Sequence, residues 1–169
     1  EQQSSLATRE IENIEAIVST VSANSTAKII YYNYNEIDDA VFGSYATKTE
    51  TSFLYQLRKL NFELMNIANR NTNFYVCDVA TIQNQVGKTN FFHTSVYIST
   101  EMVLSLNVLP LVAQKTVDIL KVLNGKLKKC VILDLDNTVW GGIIGDDGIE
   151  NIQIGSLGIG KAFTEFQYW

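Results

Sequence analysis

The sequence predicts an α/β fold with a mostly parallel sheet, and three observations predict it. Segments with helical apolar spacing alternate with short strand-like runs along the chain. Acidic residues, Asp78 and Asp134, fall where two of those runs end. The composition, 46% apolar and 18% charged over 169 residues, suits a soluble protein with one sizeable core.

Each element has a local reason. Ile11, Ile14, Ile17, Val18 and Val21 recur at helical spacing. Lys28 to Tyr32 reads as a short buried strand, and a polar loop containing Gly43 runs from Asn33 to Thr49. Phe53, Leu54, Leu57, Leu60, Leu64 and Ala68 mark a long amphipathic helix. Asn73 to Val79 is a second strand with Asp78 near its carboxyl end. Ala80 to Val86 is a short helix stopped by Gly87. Ser99 to Leu123 is helical in pattern, interrupted near Pro110. Asn124-Gly125 is a C-cap and turn signal. Cys130 to Leu133 is the third strand. Ligands of such folds sit at the carboxyl ends of strands, which is where Asp78 and Asp134 fall. The domain boundary is expected near Asn124 to Lys128, giving units 1–125 and 126–169. The second is too short for a core of its own, so it reads as the opening of a larger domain.

Charge and cysteine usage exclude several classes. The formal net charge is -5, from 13 basic and 18 acidic residues, which is no footprint for nucleic acid or an anionic membrane. Lys126, Lys128 and Lys129 form a basic cluster too short to change that. No apolar run reaches the roughly 18 residues of a membrane span, and Glu1-Gln2-Gln3 does not open a signal peptide. Cys77 and Cys130 sit in apolar strand-like runs and read as buried free thiols, which makes the cytoplasm the expected compartment. A single histidine rules out a histidine-based metal cluster.

The segment Lys129 to Gly142 carries the chemistry. An apolar run ends in Asp134 and Asp136, spaced i, i+2, with Thr138 two residues further on. In extended chain both carboxylates point to one side. Two like charges that close need a cation between them or a shared proton. The pattern therefore asks for Mg²⁺ and an acid/base pair. Trp140, Gly141 and Gly142 follow, and paired glycines allow close backbone approach. The plainer alternative is an acidic turn that caps a strand.

Residues 129–142 resemble the first motif of the haloacid dehalogenase (HAD) superfamily. Leu133 to Gly148 resembles its FkbH-like subfamily more narrowly, and Gly160-Lys161-Ala162-Phe163 with Phe166-Gln167 extends the likeness. In that family a HAD domain follows an SGNH-hydrolase-like α/β domain, whose later half residues 1–125 resemble. The implied fold is a three-layer flavodoxin-like or SGNH-like domain, followed by the first strand and flap of a Rossmann-like HAD domain. The resemblance implies that Asp134 is a nucleophile forming an aspartyl-phosphate and that Asp136 is the acid/base. It implies Mg²⁺ on the Asp134 carboxylate and the Asp136 main-chain carbonyl. Thr138 would brace the loop, and Trp140 and Gly141 would shape a flap over the substrate. The implied partners are a phosphorylated small molecule and, for members that load a glyceryl unit from 1,3-bisphosphoglycerate, an acyl carrier protein. Cys130, expected to lie beneath the site, is not favoured as an acyl-carrying thiol.

The departures set further expectations. The downstream Ser or Thr, the Lys and the further acidic pair of HAD enzymes do not occur before Trp169. The chain is therefore expected to be a fragment that binds Mg²⁺ weakly and does not turn over. The Gly-Asp-Ser block of SGNH hydrolases is missing, and Asn90-Phe91-Phe92-His93 stands where Asp-x-x-His is expected. His93 then reads as a loop histidine and the first domain as a scaffold. Gly155 to Ala162 fits a phosphate-binding loop except that Ala162 replaces the Mg²⁺-binding hydroxyl. Tyr31-Tyr32-Asn33-Tyr34 reads as a strand end with amphipathic rings. Beside the enzyme reading stand two others, a non-catalytic module that docks a carrier protein and a phospho-accepting switch.

Overall fold

The computed structural model describes residues 5–37 and 39–169. The chain divides into two compact units, Glu1–Lys126 and Leu127–Trp169.

The first unit is built on a parallel pair of strands, β1 (Ile29–Tyr32) and β2 (Phe74–Cys77), in register Ile29 to Phe74 through Tyr32 to Cys77. Alternate side chains of the pair serve opposite faces. Ile29, Tyr31, Phe74 and Val76 join a core with α1 (Leu6–Asn24) and α2 (Phe53–Arg70). That core is assembled from Ala7, Ile14 and Val18 of α1 and Leu60, Leu64 and Ile67 of α2, each set one stripe at helical spacing. On the other face Tyr32 and Cys77 meet Thr116 of α6 (Leu109–Leu123). A second core gathers Val79 and Ile82 of α3 (Val79–Val86), Phe91 of α4 (Lys88–Phe91) and Val108. A further helix, α5 (Thr94–Thr100), buries none of its residues.

Local chemistry sets the boundaries. Ser52 caps α2, accepting from the Tyr55 amide at 3.1 Å and donating to the Ala46 carbonyl. That second bond ties the cap to a 3-10 helix, Gly43–Lys48, inside the loop expected to be irregular. The helical pattern over 99–123 is interrupted just before Pro110, as expected. Glu101 takes a left-handed conformation, φ 59°, and α6 starts only at Leu109. Pro110 lies in its first turn, where a missing amide hydrogen costs nothing. The helix closes as expected at Asn124, with Gly125 at φ 70° and the Gly125 and Lys126 amides returning to Val122 and Lys121 carbonyls.

The second unit differs from expectation. Residues 130–133 form no strand, and Ile132 is 92% exposed. A strand exists only by pairing, because its amides and carbonyls need an adjacent ladder, and within Leu127–Trp169 no neighbour runs beside this segment. Val131 and Leu133 instead line an open apolar groove with Val139, Phe166 and Trp169. Cys130 is exposed rather than buried, whereas Cys77 is buried, and both thiols are free. Burial therefore gives no ground for discounting Cys130 as a thiol. The sheet described is two-stranded and not the three strands expected. Two helices complete this unit, α7 (Ile144–Asp147) and α8 (Gly158–Tyr168). No helix among the described residues is long and apolar enough to cross a membrane.

Candidate functional site

Residues 134–144 close on themselves through a tight turn. The Leu135 carbonyl accepts from the Val139 amide at 2.9 Å and the Thr138 amide at 3.3 Å. Asn137 sits at φ 54°, a conformation asparagine tolerates better than most residues. Its Oδ1 accepts from the Gly142 amide at 2.9 Å, and its own amide donates to the Gly142 carbonyl at 3.2 Å. Sequence reasoning passed over Asn137, though an Asn between two turn-forming stretches was a readable signal. The described hydrogen bond of Thr138 uses its amide, not its hydroxyl, so the side-chain brace of this loop comes from Asn137.

The two carboxylates have different surroundings. Asp134 is exposed, and its Oδ1 accepts only from the adjacent Leu135 amide at 2.8 Å. Asp136 is half-buried and turned into the loop. Its Oδ1 accepts from the Trp140 indole Nε1 at 3.0 Å and the Ile144 amide at 3.2 Å. Gly141 is buried and exchanges both main-chain bonds with Gln153, at 3.1 and 2.7 Å. A Cβ there would stand 2.8 Å from both Gln153 Oε1 and Phe163 Cε2, so only glycine fits. Asp147 accepts from the Ile143 amide at 2.8 Å and Gln167 donates to the Val139 carbonyl at 2.7 Å. These two ties hold the loop to α7 and α8, and neither was expected.

Among the described residues no group of three or more His, Cys, Asp or Glu side chains is placed to hold a metal ion. The chemistry of a smaller set does fit Mg²⁺, which prefers hard oxygens at octahedral positions and retains several waters. Asp134 Oδ2 and the Asp136 carbonyl receive no described hydrogen bond. Both are hard oxygens of the kind such an ion takes.

The strand ends of the first unit are spoken for by its own side chains. Asn33, just past β1, spreads its Oδ1 between the Val79 and Ala80 amides, at 2.6 and 3.1 Å, at the start of α3. Its Nδ2 donates to Asp78 Oδ1 at 2.8 Å. Asp78 caps α3 through the Thr81 amide at 3.0 Å and also accepts from the Thr81 hydroxyl. Burial pushes the Asp78 carboxyl up. Hydrogen bonds from Thr81 and Asn33, with the Lys115 charge nearby, outweigh that and hold it below the usual range. The loop beyond is laced by amides. Asn61 bonds both main-chain groups of Tyr34 and Gln83 both of Glu36. Glu36 receives Arg58 as a fork at 2.7 and 3.0 Å. That pairing lowers its carboxyl, burial opposes it, and Lys88 adds to the lowering. His93 is exposed and bonds Ser95 at 3.0 Å, while Asn90 is spent on the Val86 carbonyl. Asn90 and His93 thus share no described hydrogen bond.

The glycine loop before α8 is not arranged for phosphate. Residues 149–154 form turns and a single bridge rather than a strand. The Gly155 amide is taken by the Gly160 carbonyl and Thr164 Oγ1, at 3.3 and 3.1 Å. Gly160 is glycine for contact, since a Cβ would come within 3.0 Å of the Ile154 carbonyl carbon.

The chain thus combines an α/β unit whose strand ends are filled by its own side chains with an acidic loop in which Asp134 is exposed. The family profile for the FkbH N-terminal domain matches residues 1–121, and the chain belongs to that family. It is also similar to a crystal structure of the N-terminal part of the protein BF1531 from Bacteroides fragilis. That structure is described as containing a phosphatase domain and complexed with Mg. The identity is 51% and the TM-score 0.89, over 99% of this chain and 44% of that one. The present chain thus spans less than half the length of that relative. No curated protein matches.

Proposed function

We propose that residues 127–169 carry the nucleophile and acid/base of a Mg²⁺-dependent phosphoryl-transfer enzyme of the HAD type. The observation that carries this reading is the different setting of two carboxylates two residues apart. Asp134 is exposed with an oxygen free, and Asp136 is anchored in the loop by two N–H donors. The similarity to a structure with a phosphatase domain and Mg supports it.

In this mechanism the Asp134 carboxylate attacks phosphorus of a phosphorylated small molecule. The bond from phosphorus to the leaving oxygen breaks, and that oxygen takes a proton from Asp136. Water then attacks the aspartyl-phosphate and gives its proton to Asp136. The Asp134–phosphate bond breaks, which releases inorganic phosphate and restores both residues. Bound Mg²⁺, held by Asp134 and the Asp136 carbonyl, supplies positive charge opposite the transferring oxygens. The first unit acts as a scaffold, because Asn33 and Asp78 already occupy the amides at the start of α3. Transfer of a glyceryl unit to an acyl carrier protein would be a separate step, in which a thiol attacks the acyl carbon of an acyl phosphate and inorganic phosphate leaves.

The test is hydrolysis of phosphate monoesters by the full natural polypeptide that carries this sequence. Activity should require Mg²⁺ and fall at least about 1,000-fold in Asp134→Asn. Activity retained in that variant would remove the assignment.

A further inference from the structure

We propose that Trp140 is a positioning residue that fixes the Asp136 carboxylate so that one of its oxygens stays turned to substrate to exchange the catalytic proton. This rests on the phosphoryl-transfer reading above. A carboxylate turns readily about its terminal torsion, which has a broad two-fold profile. Here the indole Nε1 at 3.0 Å and the Ile144 amide at 3.2 Å both donate to Oδ1. Among the described residues no donor reaches Oδ2. A partial turn would surrender both bonds and a half turn only exchanges two equivalent oxygens, so one oxygen is held in the loop and the other is left to face substrate.

Tryptophan suits this task chemically. Its indole N–H is a donor only, with no accepting atom. It can hold the acid/base without competing for the proton, as a histidine in its place would. The ring is also carried on a pinned backbone. The Val139 carbonyl before it accepts from Gln167 at 2.7 Å, and Gly141 after it pairs in both directions with Gln153. The geometry thus assigns Trp140 to Asp136, where the sequence had suggested a flap against substrate.

The experiment compares leaving groups in the full natural polypeptide. A proton donor matters for a poor leaving group, such as a simple alkyl phosphate, and little for p-nitrophenyl phosphate. In Trp140→Phe, kcat/KM for the alkyl ester should fall roughly 10- to 100-fold. For the nitrophenyl ester it should stay within about threefold. Asp136→Asn should show the same selectivity more strongly. An equal loss on both esters, or none on either, overturns the inference. Activity surviving in Asp134→Asn would instead overturn the phosphoryl-transfer reading.

A readout without turnover guards against a variant that fails to fold. In the full natural polypeptide the Trp140 indole hydrogen, assigned by its loss in Trp140→Phe, should exchange with solvent at least about tenfold more slowly than that of free indole. Equal exchange rates overturn the proposal.

Discussion

Asn33→Ala tests whether the first unit is a scaffold whose strand ends are closed by its own side chains. The change removes two bonds to the Val79 and Ala80 amides and one to the Asp78 carboxylate. A neutral bond contributes about 1 kcal/mol net and one to an ionised group about 1.5–3. Asp78 is exposed, and water replaces part of what is lost there. The expected cost is about 2–3 kcal/mol. It should appear first as local opening of α3. Amide exchange at Val79, Ala80 and Thr81 should therefore speed up about 30- to 150-fold, at tenfold per 1.4 kcal/mol. In urea, with a slope of about 2 kcal/mol/M, the midpoint of the first unit should fall by about 1–1.5 M. Asn33→Asp keeps the acceptor but sets a second carboxylate beside Asp78. Its deficit should be present at neutral pH and shrink as acid protonates one of the pair. A midpoint within about 0.3 M of wild type, with the three amides still protected, would refute the scaffold argument.

Two further perturbations follow from the same geometry. Glu36 is held below its ordinary range by Arg58, so its contribution is fully present above about pH 4.3 and is lost as pH falls through the lowered value. Glu36→Gln should lower Tm at pH 7 and converge with wild type in acid, as followed by thermal melts across that range. Gly141→Ala forces a Cβ to 2.8 Å from Gln153 and Phe163, which should destabilise the loop by about 1–3 kcal/mol. Faster exchange of the Gly141 and Gln153 amides would report it.

The elements legible in the sequence are those whose neighbours lie within the chain. The stripe of Leu57, Leu60 and Leu64 predicts α2 because it packs on Ile14 and Val18 and on the strand residue Phe74. Residues 130–133 have the same apolar signal, but pairing is a property of two segments, and within Leu127–Trp169 none lies beside them. The reading that buried Cys130 failed with that strand. The break read near Pro110 is present, between Thr100 and Leu109, and Pro110 itself sits in the first turn of the helix that follows, where proline is tolerated. At the site, Asp134 and Asp136 were visible as a spacing. What each carboxylate bonds was not visible, because the Trp140 indole and the Ile144 amide meet Asp136 only once Asn137 turns the chain.

The account depends most on Asp134 as a nucleophile, and trapping the phosphoryl group tests that directly. The full natural polypeptide is quenched during turnover with a phosphate ester and Mg²⁺, then digested and mapped by mass spectrometry after borohydride reduction. Hydride reduction of an aspartyl-phosphate expels the phosphate, so the account predicts homoserine at position 134, absent when Mg²⁺ is removed. Turnover with no modification at Asp134, or with the phosphoryl group on another residue, would contradict it.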